Sequence, residues 1–268
     1  MKLISLNTYA GYVFKPLMDF IKLHANDTDI FCFQEVLNTN ADITTSHGMR
    51  ANLMFELSTC LPNFHGFFAL AQANYDHTSL TKNNIDSGMA LFIKRDHQIQ
   101  SHGDFFIHGT LNSFDGHNYY TMPMNAGFAQ IIIDKHVLNV INVHGTAWTF
   151  DKLDTPERLQ QSQMILNFVQ KHPGSTIIAG DFNLFPDTES ITMIERHGFR
   201  NMIKQYSIST TRGSMNKLIH PDYGRQEYGW QEFADYVFIS PEITPIQFNV
   251  PDLPISDHLS IILEFKIV

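Results

Sequence analysis

The stretch Thr176-Ile177-Ile178-Ala179-Gly180-Asp181-Phe182-Asn183 reads as a buried strand that ends on two polar side chains two positions apart. Residues 176–179 are the branched and apolar types of a strand covered on both faces. Asp and Asn commonly leave strands as turn residues or caps, because their side chains bond nearby backbone N–H groups. In extended chain, side chains two apart point to the same face, so Asp181 and Asn183 address one space. Whether that space is a turn or a reactive site depends on what the other strands bring to it.

Similar apolar runs bounded by turn residues recur at 2–6, 29–34, 88–94, 128–133, 137–143, 235–239 and 259–265, and each has strand length. Amphipathic stretches at 14–24, 49–60 and 156–170 read as helices. In the last, Thr155 fits the N-cap, Pro156 the first helical position and Glu157 the first turn, while Pro173 and Gly174 mark the end. Strands mixed with few helices and joined by several short connections imply two mixed sheets packed together under helices, an α/β (α+β) chain. No linker, repeat or low-complexity tract divides residues 1–268, so a single domain is expected. The polar and aromatic stretches 62–86, 102–126 and 206–232 are expected as loops, and loops this long tend to carry function.

The chain is 43% hydrophobic and 17% charged, which places it among globular proteins and outside the disordered class. Its net charge of −9 excludes a Lys/Arg stripe that holds nucleic acid by counterion release alone. A nuclease that reaches one phosphodiester through a divalent cation tolerates such a surface, because the cation supplies the local positive charge. The two cysteines, Cys32 and Cys60, lie in apolar segments and read as reduced thiols in a reducing compartment. The opening MKLISLNTYAG lacks the apolar core and cleavage site of a signal peptide. No run approaches the ~18 apolar residues of a membrane span. A cytoplasmic monomer without an obligate protein partner is therefore expected.

Polar residues fall at the strand ends in a pattern. Asn7 follows LISL, Glu35 closes IFCFQE, His144 closes NVINVH, and Asp181 and Asn183 close TIIAGDFN. Asp235 precedes YVFIS, and Asp257 and His258 precede LSIILEF. Singly, each has an ordinary role as turn residue, exposed strand end or rim histidine. If the late strands run antiparallel to the earlier ones, all of them gather on one edge of the sandwich. Hard oxygen donors without thiolates suit Mg²⁺, with Mn²⁺ able to substitute. Zinc spacing such as H-E-x-x-H or paired cysteines is missing, and the remaining histidines of the 14 are expected as solvated surface.

Taken in order, SLN, FQEV, SGMALF, NVHG, GDFN, DYVF and SDHLSI span nearly the whole chain and resemble the endonuclease/exonuclease/phosphatase superfamily, the deoxyribonuclease-I-like fold. The resemblance implies a four-layer αββα sandwich of two mixed, mainly antiparallel sheets. It also implies Mg²⁺-dependent attack of water on a phosphoester at one site between the sheet edges. Carried over by position, Glu35 would be the principal metal ligand with Asn7 and Asp257 beside it. Asp181 would orient or deprotonate the water, and Asn183 would fix the water or the phosphate. His258 would bind a phosphoryl oxygen with Asp235 on its other ring nitrogen, and His144 would reach the phosphate from another side.

Two departures stand out. Leu6 replaces a Trp found before the asparagine in many relatives, and Gly88 stands where the secreted deoxyribonucleases carry an acid that supports the first histidine. NVHG also differs from the tyrosine-centred motif of the abasic-site endonucleases.

The expected activity is hydrolysis of a phosphodiester by a phosphodiesterase or nuclease. Alternatives are a phosphomonoesterase, a lipid-headgroup hydrolase of the inositol-phosphate phosphatase or sphingomyelinase type, and a silent binding module that keeps the fold. A pocket rich in Lys and Arg would favour polyphosphates. Of Lys152, Arg158, Arg212, Lys217 and Arg225, Arg212 is the candidate for substrate contact, although all are expected as ordinary solvated charges. Among the loop aromatics Tyr75, Tyr119, Tyr120, Trp148, Tyr223, Tyr228 and Trp230, packing onto the sandwich is expected, with Trp148 as the candidate for stacking on substrate.

Overall fold

The computed structural model describes residues 1–41, 45–222 and 229–268. In chain order the strands are β1 (Lys2–Asn7), β2 (Ile30–Asn38), a short hairpin β3 (Thr45–Ser46) and β4 (Met49–Arg50), β5 (Phe64–Gln72), β6 (Asp86–Lys94), β7 (Gln98–His108), β8 (Met124–Ile133), β9 (His136–His144), β10 (Ser175–Asp181), β11 (Arg200–Asn201), β12 (Asp235–Ile239), β13 (Ile243–Asn249) and β14 (Ile261–Ile267). The helices are α1 (Phe14–His24), α2 (Leu53–Cys60), α3 (Pro156–Lys171), α4 (Glu189–Arg196), α5 (Met202–Gln205) and α6 (Ser214–Ile219).

Two six-stranded mixed sheets face one another, ordered β13-β14-β1-β2-β6-β5 and β11-β12-β10-β9-β8-β7. Each has one parallel pair near its middle, β1 with β2 and β10 with β9, and is otherwise antiparallel. This is the expected sandwich. The main apolar core lies between the sheets and under α3 and α4, with Leu3, Cys32, Val140, Ile178, Val237 and Leu263 among its buried members. A second core joins the outer face of the first sheet to α1 and α2 through Ile4, Leu17, Phe31, Phe33, Leu57 and Phe92. Burying this much branched and aromatic side chain is the chief stabilising term for the fold.

The apolar runs located the central strands, and α1 and α3 lie where their patterns place them. Thr155 caps α3 through its hydroxyl, which accepts from Arg158 N at 3.2 Å. The stretch 49–60 divides into β4 and the shorter α2. The expected loops 62–86 and 102–126 in fact contain β5 and most of β7, and 206–232 contains α6. The strands without an apolar run, β5, β7, β11 and β13, are the edges of the two sheets. Edge strands carry polar residues and even proline, as Pro245 does in β13, because one backbone side has no strand partner. Among the described residues, no helix is long and apolar enough to cross a membrane.

Candidate active site

The parallel pairs of both sheets end on the same edge of the sandwich. Asn7 closes β1 opposite Gln34 of β2. Asp181 closes β10 with His144 of β9 on one side and Asp235 of β12 on the other. The Asn7 amide spans the gap: Nδ2 donates to Glu35 Oε1 at 2.9 Å and to Asp181 Oδ2 at 3.0 Å. Its Oδ1 accepts from Tyr9 N at 3.0 Å, so the nitrogen faces the carboxylates.

Glu35 does not end its strand. β2 runs on to Asn38, and its register with β6 slips between the pairs Phe33↔Ala90 and Val36↔Gly88, so Gln34 and Glu35 together oppose one residue. Glu35 takes a left-handed φ of 53° there, a bulge that re-aims its side chain. A non-glycine residue holds that conformation only if its surroundings impose it. Thr8 Oγ1 lies 2.8 Å from Glu35 O and 3.0 Å from Gln34 O. From the opposite sheet, buried Asn142 donates to Phe33 O and Ala90 O at 3.1 Å and accepts from Gln34 Nε2 at 2.6 Å. At Gly88, across the bulge, a Cβ would overlap Ala69 O. No acidic side chain can stand there, and His144 Nε2 instead lies 3.7 Å from Glu35 Oε1.

Asp235 and His258 form a buried pair, with His258 Nδ1 2.8 Å from Oδ2 and 3.0 Å from Oδ1. His258 Nε2 lies 3.6 Å from Asp181 Oδ2. Thr211 joins the two chain segments: its hydroxyl accepts from Ala234 N and Asp235 N, and its carbonyl accepts from Leu259 N. Asp257 faces cations, with Arg212 Nη1 at 3.2 Å and His220 Nε2 at 3.3 Å from Oδ2. Asn183, also left-handed at φ 53°, donates from its backbone N to Asp181 Oδ1 at 2.9 Å and from Nδ2 to Gly145 O at 3.1 Å.

All the residues expected from the strand ends are thus brought together. Sequence reasoning missed several neighbours. His77 and His220, expected on the solvated surface, are half-buried against Glu35 Oε2 (2.9 Å) and Asp257. His77 follows Asp76 in the same Asp-His dipeptide as Asp257-His258, the one signal that could have flagged it. Lys152, Arg158 and Arg212 are likewise buried rather than solvated. Lys152 is 3% exposed with Nζ donating to Asn183 Oδ1 at 3.0 Å, because its loop turns inward beside the GDFN segment. Arg158 is 1% exposed and binds the carbonyls of that loop. Lys217 is exposed with Nζ 5.6 Å from the Trp230 ring, and Arg225, Tyr223 and Tyr228 lie outside the described residues.

These groups line a cavity of about 470 Å³ whose other wall is aromatic. Tyr75 is buried as loop packing. Trp148 stacks on Tyr119 at 5.3 Å between centroids, with Phe150 edge-on at 4.6 Å, and all three line the cavity. Tyr120 packs edge-on against Trp148.

Charge is compensated tightly here. Burial alone would raise the Glu35 carboxyl, but His77 and then His144 and His258 outweigh it and hold it far below the carboxylate range. Asp257 is likewise brought down to about 2 against its burial, by His258, His220 and Arg212. Burial and Arg212 disfavour a charged His258, yet Asp235, Asp257 and Asp181 prevail and raise it. Burial first, and Arg212 second, lower Lys152 to about 7. Ligand atoms of Glu35, His144 and Asp181 lie within 4.8 Å of one another, as do those of Asp181, Asp235 and His258, so either group could hold a metal ion.

The fold and this edge define a class, and the sequence agrees: residues 4–258 match the model of the Endonuclease/Exonuclease/phosphatase family, to which the chain belongs. Similar solved structures include an endonuclease/exonuclease/phosphatase from Bacteroides vulgatus, at 17% identity and a TM-score of 0.70, covering 100% of this chain and 98% of that one. Another is a mannosyl-6-phosphatase from Bacteroides thetaiotaomicron, at 14% identity and a TM-score of 0.68, covering 99% of each chain. A third is the human nocturnin catalytic domain with bound sulfate, at 17% identity and a TM-score of 0.62, covering 100% of this chain and 93% of that one. No curated protein matches the sequence.

Proposed function

We propose that this chain is a divalent-metal-dependent phosphoesterase in which Asp181 activates water for attack on phosphorus. The observation that carries the reading is the buried Asp181–His258–Asp235 set, with His258 Nε2 3.6 Å from Asp181 and Nδ1 2.8 Å from Asp235, in which Asp181 and His258 line the same cavity as Glu35. Glu35 and Asp181, with Asp257 beside them, fit Mg²⁺ or Mn²⁺, since the donors are hard oxygens, whereas the expected ligand Asn7 turns its oxygen to Tyr9 N and its Nδ2 to the carboxylates. Ligand atoms of Glu35 and Asp181 lie within 4.8 Å of one another, which suits a shared cation. Bound there, the ion would act as a Lewis acid and offset phosphoryl charge.

Phosphoryl transfer needs positioning and charge stabilisation more than covalent help. The Asn7 amide holds Glu35 and Asp181 at fixed spacing. Asp181 accepts the proton of the attacking water. His258, kept as imidazolium by Asp235, donates from Nε2 to a phosphoryl oxygen. Asn183 and His144 supply further donors around the phosphate. A small phosphoester suits a 470 Å³ cavity with an aromatic wall better than a duplex does. The phosphatase among the structural neighbours supports the same choice.

The test is Mg²⁺-dependent hydrolysis by wild type and Asp181→Ala of p-nitrophenyl phosphate, bis-p-nitrophenyl phosphate, sugar and inositol phosphates, sphingomyelin, RNA, and single- and double-stranded DNA. Turnover of phosphoesters that disappears in the variant is expected. Turnover retained by Asp181→Ala, or none by wild type on any phosphoester, would overturn the reading.

A further inference from the structure

Lys152 is a buried amine that, among the described residues, has no carboxylate at ion-pair distance. Its carbonyl accepts from Phe185 N at 2.9 Å, and its left-handed φ of 56° turns the residue into the protein. Arg158 fixes the loop on both sides by binding Thr146 O, Ala147 O, Leu153 O and the Asp151 carboxylate. Lys152 therefore has little freedom to reach water. Its Nζ has one hydrogen bond, to the neutral Asn183 Oδ1, and among the described residues no carboxylate lies within ion-pair distance of it. The carboxylates whose charge reaches Lys152, Asp181 and Asp235, are engaged instead by Asn7, the Asn183 backbone and His258.

A buried charge without a partner is costly, and such a group faces a compensating anion or loses its proton. Lys152 lines the cavity beside Asn183, Asp181 and Arg212, so the missing anion is one that enters the cavity. A phosphate monoester carries close to two negative charges above a second pKa of about 6, whereas a diester carries one. The single buried ammonium added by Lys152 matches that second charge.

We propose that Lys152 binds an anionic phosphoryl oxygen of the substrate and selects phosphate monoesters over diesters. The inference rests on the phosphoesterase reading and names the substrate class of the same site. Lys152 Nζ donates to the phosphoryl oxygen while keeping Asn183 Oδ1, which fixes the Asn183 amide with one Nδ2 hydrogen uncommitted. No bond to the leaving group involves Lys152. With burial and Arg212 lowering its proton affinity and Asp181 and Asp235 raising it, and Arg158 adding a smaller lowering effect, Lys152 sits near pH 7 when the site is free. An arriving dianion then draws a proton onto it.

The experiment compares wild type, Lys152→Met and Lys152→Arg, all with Mg²⁺, on p-nitrophenyl phosphate and bis-p-nitrophenyl phosphate, which share a leaving group. Lys152→Met should lower kcat/KM for the monoester about 10- to 100-fold, the range for a hydrogen bond to a charged group. The diester should change by less than about 5-fold, and Lys152→Arg should keep most of the monoester preference. Equal losses on both esters, or none on either, would overturn the inference. Calorimetry with inorganic phosphate at pH 8, in two buffers of different ionisation enthalpy, gives a readout independent of turnover. Wild type should take up about one proton more per phosphate than Lys152→Met, and equal uptake would refute the assignment. If wild type hydrolyses neither ester, the phosphoesterase reading fails, and the phosphate measurement still decides the role of Lys152.

Discussion

Asp235 and His258 meet at 2.8 Å where the central strands of the sandwich deliver their polar ends, and Asp29 and His97 meet at 2.8 Å at the opposite edge, where β2 begins. Each histidine follows an aspartate in sequence, Asp257 and Asp96, and in both cases the partner is a different, distant aspartate. The side chains of the first pair are 4% exposed, those of the second about a fifth. The first pair has Asp181 3.6 Å from the free ring nitrogen of His258. The second ties the β6–β7 turn to the start of β2, where Asp29 also accepts Lys2 N at 2.7 Å. Equal pair geometry thus serves different ends. Water reaches the partly exposed pair, so it acts as a tie between chain segments. In the other, burial opposes charge on His258, and the surrounding carboxylates outweigh it and raise the ring.

The sharpest test of the contrast is to remove each histidine. His258→Ala should lower kcat by about 10³-fold, within the range for a positioned acid or base, while leaving Mg²⁺ affinity within about 3-fold. His97→Ala should leave both unchanged. Comparable activity loss in the two variants would erase the distinction. A gentler change, Asp235→Asn, keeps the shape and removes the charge that raises His258. His258 then loses its proton at lower pH, so the basic limb of the pH–rate profile should move down by about one unit and kcat fall by up to about 10-fold at pH 8. An unmoved limb would detach Asp235 from the reaction.

The edge that carries Asp235 and His258 was legible because its residues close or open apolar runs. Asn7, His144, Asp181 and Asp235 could be placed from strand ends alone, and the family resemblance added their order. Glu35 looked like a strand end for a different reason: a bulge is invisible to period-two reading, and the Gln34–Asn142 bridge that supports it comes from another sheet. Arg212 was singled out for substrate contact, but its burial, like that of Lys152, His77 and His220, was unreadable, since all four sit in loops, where burial depends on how Arg158 and Thr211 fold the backbone rather than on any periodicity. The edge strands β5, β7 and β13 escaped notice on similar grounds, because half-covered strands carry mixed polarity.

Lys152 extends the contrast to stability. Its folded value near 7 lies below the ordinary ~10.4 of the unfolded chain. Between those values the unfolded chain binds more protons, so stability should rise with pH there; the penalty is complete below about 7 and gone above about 10.5. Wild type should gain about 1 kcal/mol per pH unit relative to Lys152→Met between pH 7.5 and 9.5, measured by urea unfolding without metal. Parallel curves would mean that Lys152 is paired and charged in the free protein.

The smallest effect is expected where the tie is only structural. His97→Gln keeps a side chain able to donate to Asp29 Oδ1 and removes the ionisable ring. Asp29 is lowered despite its burial, by His97 and the Lys2 backbone, so at pH 7 it is an anion whether or not His97 is charged. A pair that water still reaches contributes about 0.2–1 kcal/mol, and Gln replaces much of its hydrogen bond. The variant should therefore lose no more than about 0.5 kcal/mol in urea unfolding, with the loss shrinking further in 1 M NaCl as the Debye length falls to about 3 Å. A loss of several kcal/mol that salt did not reduce would show that this edge, too, depends on a desolvated charge pair, and burial could no longer separate it from the edge that carries His258.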